Sequence, residues 1–407
     1  MDKMSELDIG QFWKDDAAAH LDNCFNPEAG QAALGIGMAP ECIYAELDLP
    51  GHPWDVMPDG AMREHVKRYN DKAEAIVGRR LLPEEYPAPA SRFPYFKRVG
   101  DIFGGKYVMH DHSEWLMPGA ESPDELEKLL DRVEKMDIAD FVIPANWGSE
   151  VKRIREETGV GAEAVAGEGH FMRGPVTLAT SIMGSENFLL LYYDAPELFS
   201  RFAYVLADVA IKRADAIDEA CGYAAAGAAA GAELSAAADP AAGAGVSGPQ
   251  GGARQNRRGY QFNDDNCCLM TPEMYEIFGY HVLKTVFARF APDESDFRYQ
   301  HSDSDMRHLL PILGRVNLTG CNLGPNVLVD DIRRHMPTTR IDGCIDPFAF
   351  SRNEEAELVR QVKRDCEAAR ASGTRGLNIS TAGSINYGSS LKSLRLIMQA
   401  IQNYGRY

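Results

Sequence analysis

The chain has 407 residues, 45% apolar and 25% charged, the balance of a globular protein large enough to bury its own core. Its 42 Lys and Arg against 60 Asp and Glu leave a formal net charge of −18, and no run of five basic residues offsets it. Such a surface repels phosphate backbones and anionic lipid, which sets nucleic acid and membrane aside as partners.

No run of about 18 charge-free apolar residues is present, so no membrane-spanning helix is expected. Met1–Glu6 lacks the basic head and apolar run of a secretory signal. Eight Cys without a C-x-x-C pair suggest neither a disulfide framework nor a zinc knuckle. A reduced, cytoplasmic chain is the expectation.

Residues 1–95 read as an N-terminal extension packed on a main domain. They are rich in Pro and Gly, as in Leu49-Pro50-Gly51-His52-Pro53-Trp54 and Glu85-Tyr86-Pro87-Ala88-Pro89, with one helical stretch at Ala61–Val77. Over residues 96–407 short apolar runs alternate with amphipathic stretches. The strand candidates are Lys106–His110, Phe141–Pro144, Ala164–Phe171, Gly259–Asn263, Asp296–His301, Arg315–Thr319, Thr339–Asp342 and Gly376–Ser380.

Helix starts are marked by Pro with acids behind it: Ser122-Pro123-Asp124-Glu125, Asp194-Ala195-Pro196-Glu197 and Thr271-Pro272-Glu273. Ser351-Arg352-Asn353-Glu354 has capping-box spacing before a helix to about Ala371, with Gly373 as its stop. Eight strands alternating with helices predict an α/β protein, a (β/α)8 TIM barrel. A doubly wound sheet is the runner-up, weakened by the lack of a G-x-G-x-x-G turn. The segment 224–256, with 14 Ala and 7 Gly in 33 residues, reads as a low-complexity insertion outside the core.

Several polar residues stand at predicted strand ends, where a barrel gathers its chemistry. His301 closes one strand and Asp303 follows two residues on, as a ligand or as a cap before a helix at Met306–Leu313. Of the adjacent Asp264 and Asp265, at most one can face the barrel mouth; the other caps. His170 and Arg173 follow the run Ala164–Phe171, and an Arg there can hold a substrate anion. Cys344 sits in the loop after Thr339–Asp342, as a buried hydrophobe or a metal ligand. Trp147 and Tyr387 are aromatic walls for a ring-bearing ligand, or plain packing residues. His110-Asp111-His112 has alternate spacing suited to a metal or to a solvated loop. Cys267-Cys268 read as packing at a helix entry.

The stretches Arg173-Gly174-Pro175-Val176-Thr177-Leu178 and Tyr193-Asp194-Ala195-Pro196-Glu197-Leu198-Phe199 resemble the uroporphyrinogen decarboxylase superfamily. So do Asp264-Asp265-Asn266, Leu269–Tyr275, Tyr299–Asp303, Ile341–Pro347 and the strand and loop Asn378–Ser384. The resemblance implies a (β/α)8 barrel and one of two chemistries: cofactor-free decarboxylation of a porphyrinogen, or zinc-dependent methyl transfer involving a thiol or corrinoid. The decarboxylases' Arg-Gln-Ala-Gly-Arg-Tyr motif has no counterpart; Gly78-Arg79-Arg80 is the nearest basic pair. Their tyrosine falls on Ser181, and their C-terminal histidine falls in Ala382–Asn386, which has none.

The methyltransferases' His-x-Cys becomes His301-Ser302-Asp303, and their second Cys falls near Gly383. A His/carboxylate set is harder than a thiolate set and suits an ether or hydroxyl oxygen. The implied function is methyl transfer between a small methoxy compound and a corrinoid carried by a partner protein. Zinc would be held by His301, Asp303 and Cys344, with His301, Asp265, His170 and Arg173 catalytic and Trp147 and Tyr387 against the cofactor. A decarboxylase of a polycarboxylate and a non-catalytic binding barrel are the alternatives.

Overall fold

The computed structural model describes residues 4–51, 59–84, 91–110, 113–223, 258–385 and 387–407. The Ala/Gly-rich segment 224–256, Asp111 and His112 lie outside these residues. Among the described residues no helix is long and apolar enough to cross a membrane.

Nine strands are described: β1 (Ala33–Leu34), β2 (Lys106–His110), β3 (Ser113–Met117), β4 (Phe171–Arg173), β5 (Gly259–Asn263), β6 (Phe297–Ser302), β7 (Gly320–Leu323), β8 (Arg340–Ile345) and β9 (Leu377–Thr381). Seven of them form one parallel sheet in the order β1-β9-β8-β7-β6-β5-β4, with β1 and β4 as its two edges. Its central strands are buried almost throughout, as parallel strands sandwiched between two layers must be. The helices at Pro196–Cys221, Gly279–Phe290, Glu355–Ala371 and Leu391–Tyr404 supply much of the apolar core around it.

Helix starts follow the local chemistry. Ser122 and Thr271 accept backbone N–H bonds from Glu125 and Met274, and Pro occupies the first turn behind each. The helix Glu355–Ala371 forms as expected, with Gly373 at φ +65 beyond it. Ser351 does not cap it: that residue closes the short helix Pro347–Ser351 and bonds back to the Phe348 carbonyl.

Four strand expectations are corrected. Phe141–Pro144 overlaps the helix Ile138–Val142, which Asp137 caps and whose buried Ile138 and Val142 stand one turn apart. Ala164–Phe171 is a 3-10 helix, Ala162–His170, since its Ala and Gly give a strand little to pack; only Phe171–Arg173 pairs. Arg315–Thr319 holds a turn with Asn317 at φ +55, and the strand begins at Gly320. Lys106–His110 is a strand, but one paired antiparallel with β3, apart from the main sheet. Conversely β1, inside the stretch that reads as an N-terminal extension, adds a parallel edge strand to the main sheet beside β9.

One face of the sheet carries a polar network. Tyr299 on β6 donates to Asp342 on β8 at 2.8 Å, reaching past β7. Gly320 on β7 permits this: a Cβ there would stand 2.9 Å from the Tyr299 ring. Asp342 also accepts from Asn378 at 2.7 Å and from Arg340 through two bonds of 2.8 Å. Arg340 in turn donates to Asn23, whose amide bonds the Thr319 carbonyl, fastening the N-terminal segment to the strands' N-terminal ends.

Candidate metal centre

Ladder register decides which side chains share that polar face. Arg173, Asn263, His301 and Asn322 are successive partners across β4, β5, β6 and β7, so they form one row. Gln261, Tyr299, Gly320 and Arg340 form the row beneath. The upper row lies at the carboxyl ends of the strands, where the loops holding Asp265 and Asp303 begin.

His301 is the pivot. Its Nδ1 lies 2.8 Å from Asn322 Oδ1, and its Nε2 lies 3.1 Å from Asp303 Oδ1 and 3.8 Å from Asp265 Oδ1. The Asn322 amide has one sensible orientation. Its Nδ2 donates to the carbonyls of Asp342 and Thr381, and its Oδ1 accepts the Gly383 N–H at 3.1 Å. That oxygen therefore accepts from His301, which carries a proton on Nδ1 and turns Nε2 toward the two carboxylates. Burial alone would pull the His301 pKa down; the Asp303 hydrogen bond and the charges of Asp303 and Asp265 outweigh it, and the net shift is upward.

The acidic pair after β5 divides between two faces. Asp264 is fully buried and accepts the Thr177 N–H at 2.7 Å, capping the helix Pro175–Met183. Burial pushes its carboxyl up to about 7. Asp265 turns the other way and accepts the Asp303 N–H at 2.9 Å. Burial also raises the Asp265 pKa, against the opposing pull of His301.

Asp303 does not cap the following segment; its carboxylate faces His301. Gly383, at φ +110, makes room for it, because a Cβ at 383 would lie 2.5 Å from Asp303 Oδ1. Gly383→Ala is expected to displace that carboxylate and weaken the cluster's hold on any divalent cation about 10-fold or more, the usual scale for a residue behind the ligands. A chelator-competition titration checks this, and an unchanged affinity would remove Gly383 from the site.

One ligand atom each from Asp265, His301 and Asp303 lie within 4.8 Å of one another. The His301 side chain is only 5% exposed, whereas the Asp265 and Asp303 side chains are 42% and 49% exposed. The cluster is thus anchored on its protein side and open to solvent on the other. One imidazole and two carboxylates with an open position is a donor set that zinc accepts in reactive sites.

The other expected residues separate. Arg173 stands in the His301 row, and Tyr387 is exposed in the loop beyond β9. Cys344 is not brought to His301: its thiol is buried, burial pushes its pKa up, and its N–H bonds Asp365 on the helix Glu355–Ala371. Cys344 lies within β8, which runs on to Ile345 instead of ending at Asp342. Trp147 is core, packed on Phe96 and Phe93 and donating Nε1 to the Ala220 carbonyl at 3.1 Å. His110 ends β2, away from the main sheet, and Cys267 is buried against Ser302.

His170 does not face the mouth either. It precedes β4, and its ring bonds the Gly259 carbonyl at the start of β5 (2.8 Å) and Asp218 (2.9 Å), stacked on Tyr260 with Phe290 tilted and Tyr223 edge-on beside it. Both ring nitrogens meet acceptors, which favours imidazolium. Burial opposes the charge, but the Asp218 hydrogen bond and carboxylate raise the pKa above 6.5 on balance.

The stabilisation from His170 is therefore full below about pH 6.5, the unfolded value, and is lost as pH rises through the higher folded value. Urea unfolding of the Asp218→Asn variant should lack that loss. An identical pH profile in variant and wild type would contradict the ion pair.

Asn322 and Asn263 escaped sequence reading, since a lone Asn in a strand carries no motif. Their signal is positional: once β6 is aligned with its neighbours, both fall beside His301.

No protein-family model matches this chain, and no curated protein sequence matches it. Among solved structures, a methyltransferase from Methanosarcina mazei aligns over 99% of this chain and 94% of its own, at 13% identity and a TM-score of 0.47. Function is therefore argued from the side chains themselves.

Proposed function

We propose that this chain is a methyltransferase of (β/α)8-barrel type, with a divalent cation, zinc by its donor set, held by His301, Asp303 and Asp265. The barrel reading is supported by the strand order, in which β4 to β9 lie side by side in chain order and pair in parallel, and by the Tyr299–Asp342 bond that reaches past β7. The metal reading is carried by one observation: Asn322 holds the Nδ1 proton while Nε2 and two carboxylates converge on one point.

A cation there would supply Lewis acidity to an ether or hydroxyl oxygen. The methyl donor is a small methoxy compound and the acceptor a reduced corrinoid on a partner protein. The methyl–oxygen bond breaks heterolytically, the methyl group joins the cobalt using the cobalt's electron pair, and the oxygen keeps its bonding pair and takes a proton from water. His301 remains oriented throughout by Asn322, and Asp342 and Thr381 hold that amide in place.

The decarboxylase alternative needs a cluster of inward-pointing cations, and among the described residues Arg173 stands in the His301 row without Arg79 or Arg80 beside it. Arg79 lies over the Trp13 ring, and Arg80 is engaged by Asp71, Glu74 and Glu84. A non-catalytic barrel is disfavoured by a mouth lined with His, Asp and Arg. The test is methylation of reduced corrinoid by methoxy donors with zinc-loaded protein. Turnover that disappears with the metal supports the proposal; metal-free protein of equal activity, or no turnover with any methoxy donor, would refute it.

A further inference from the structure

Two carboxylates at the centre repel an anion, yet the row that carries His301 ends in a cation. Arg173 closes β4 in register with Asn263, itself in register with His301. The Arg173 side chain is exposed and has neither hydrogen bond nor ion pair with any described residue.

Asn263 is nearly buried, and its Oδ1 accepts from Gln261 at 3.0 Å. That bond turns the Asn263 Nδ2 away from Gln261 and leaves it without an acceptor among the described residues. Arg173 and Asn263 thus stand on adjacent strands, two and one strand spacings from His301, and the Arg173 charge reaches the cluster, where it helps draw the Asp265 pKa down against the effect of burial. Guanidinium beside amide is a pattern that recognises carboxylate oxygens.

We infer that Arg173 and Asn263 form an anion subsite, so that the methyl donor is a methoxy carboxylate. Its carboxylate sits on β4 and β5 while its ether oxygen reaches the His301 cluster. This rests on the methyl-transfer reading above and narrows it. The cation at His301, Asp303 and Asp265 separates the two acids from the incoming anion, and Arg173 selects charged ethers over neutral ones.

The test is calorimetric titration of zinc-loaded full-length protein with methoxyacetate and with its neutral counterpart 2-methoxyethanol. Wild type should bind methoxyacetate more tightly than the alcohol. Arg173→Gln should weaken methoxyacetate about tenfold or more and leave the alcohol unchanged, with Arg173→Lys in between. Zinc content, measured in parallel, should show the metal retained by all three proteins, which also reports an intact site.

Equal binding of both probes by wild type, no binding of methoxyacetate, or an Arg173→Gln variant that binds it as wild type does would overturn the subsite. Failure of wild type to hold zinc would overturn the metal reading instead. The same titrations without zinc then decide the subsite by the same Arg173→Gln comparison.

Discussion

Replacing His301 with alanine is expected to abolish zinc retention, lowering affinity by more than the ~10–100-fold typical of residues behind a metal's ligands. Methyl transfer should fall with it. The imidazole is the one nitrogen donor in the cluster and the one ligand whose direction is fixed twice, by β6 and by Asn322. Removing it leaves two half-exposed carboxylates that solvate easily and hold a cation poorly. Asn322→Leu should fall within the ~10–100-fold range, because it frees the Nδ1 proton and the ring while leaving the donor atoms in place. Metal content by mass spectrometry and affinity by chelator competition give both numbers. Equal retention by His301→Ala and wild type would contradict the assignment.

The second large effect is on stability. Arg340→Leu should cost about 3–5 kcal/mol, because Asp342 is then left charged and buried without its counter-ion. Asp342 is 2% exposed and accepts four bonds, two from Arg340 and one each from Tyr299 and Asn378. Tyr299 and Asn378 offset only part of the lost charge pairing. The backbone carbonyl of Asp342 also receives the Asn322 amide, so loosening β8 should disturb the His301 tautomer as well. Urea unfolding measures the first consequence and zinc affinity the second. A stability loss below about 1 kcal/mol would mean that the network is not what holds the sheet's polar face together.

Much of this architecture was legible from local chemistry. Pro-headed helices at Pro123 and Pro272 formed where a capping hydroxyl and acidic first turn require them. Gly259–Asn263 is a strand with the bounds expected, since its aromatics pack to one side. The failures share a cause: a short apolar run does not declare its period. Phe141–Pro144 holds too few residues to distinguish one helical turn from a strand, and the Asp137 cap decided it.

The site was half legible. His301, Asp303 and one of the paired aspartates follow from strand ends and alternation, which needs only a correct strand. Cys344 and His170 were misplaced because each depended on a strand's bounds: β8 continues through Cys344 to Ile345, and β4 begins only at Phe171. An apparent strand end at His170 is the end of a 3-10 helix, on the far side of β4 from the mouth. Asn263 and Asn322 required the pairing register, which no local pattern contains. Only the folded sheet places them.

The most direct measurement is an anomalous-difference map at the zinc edge from crystals grown with zinc. We predict a single strong peak about 2.0–2.2 Å from Nε2 of His301 and from one carboxylate oxygen each of Asp303 and Asp265. A map with no peak between those three side chains, or with the imidazole turned to present Nδ1 instead, would contradict it.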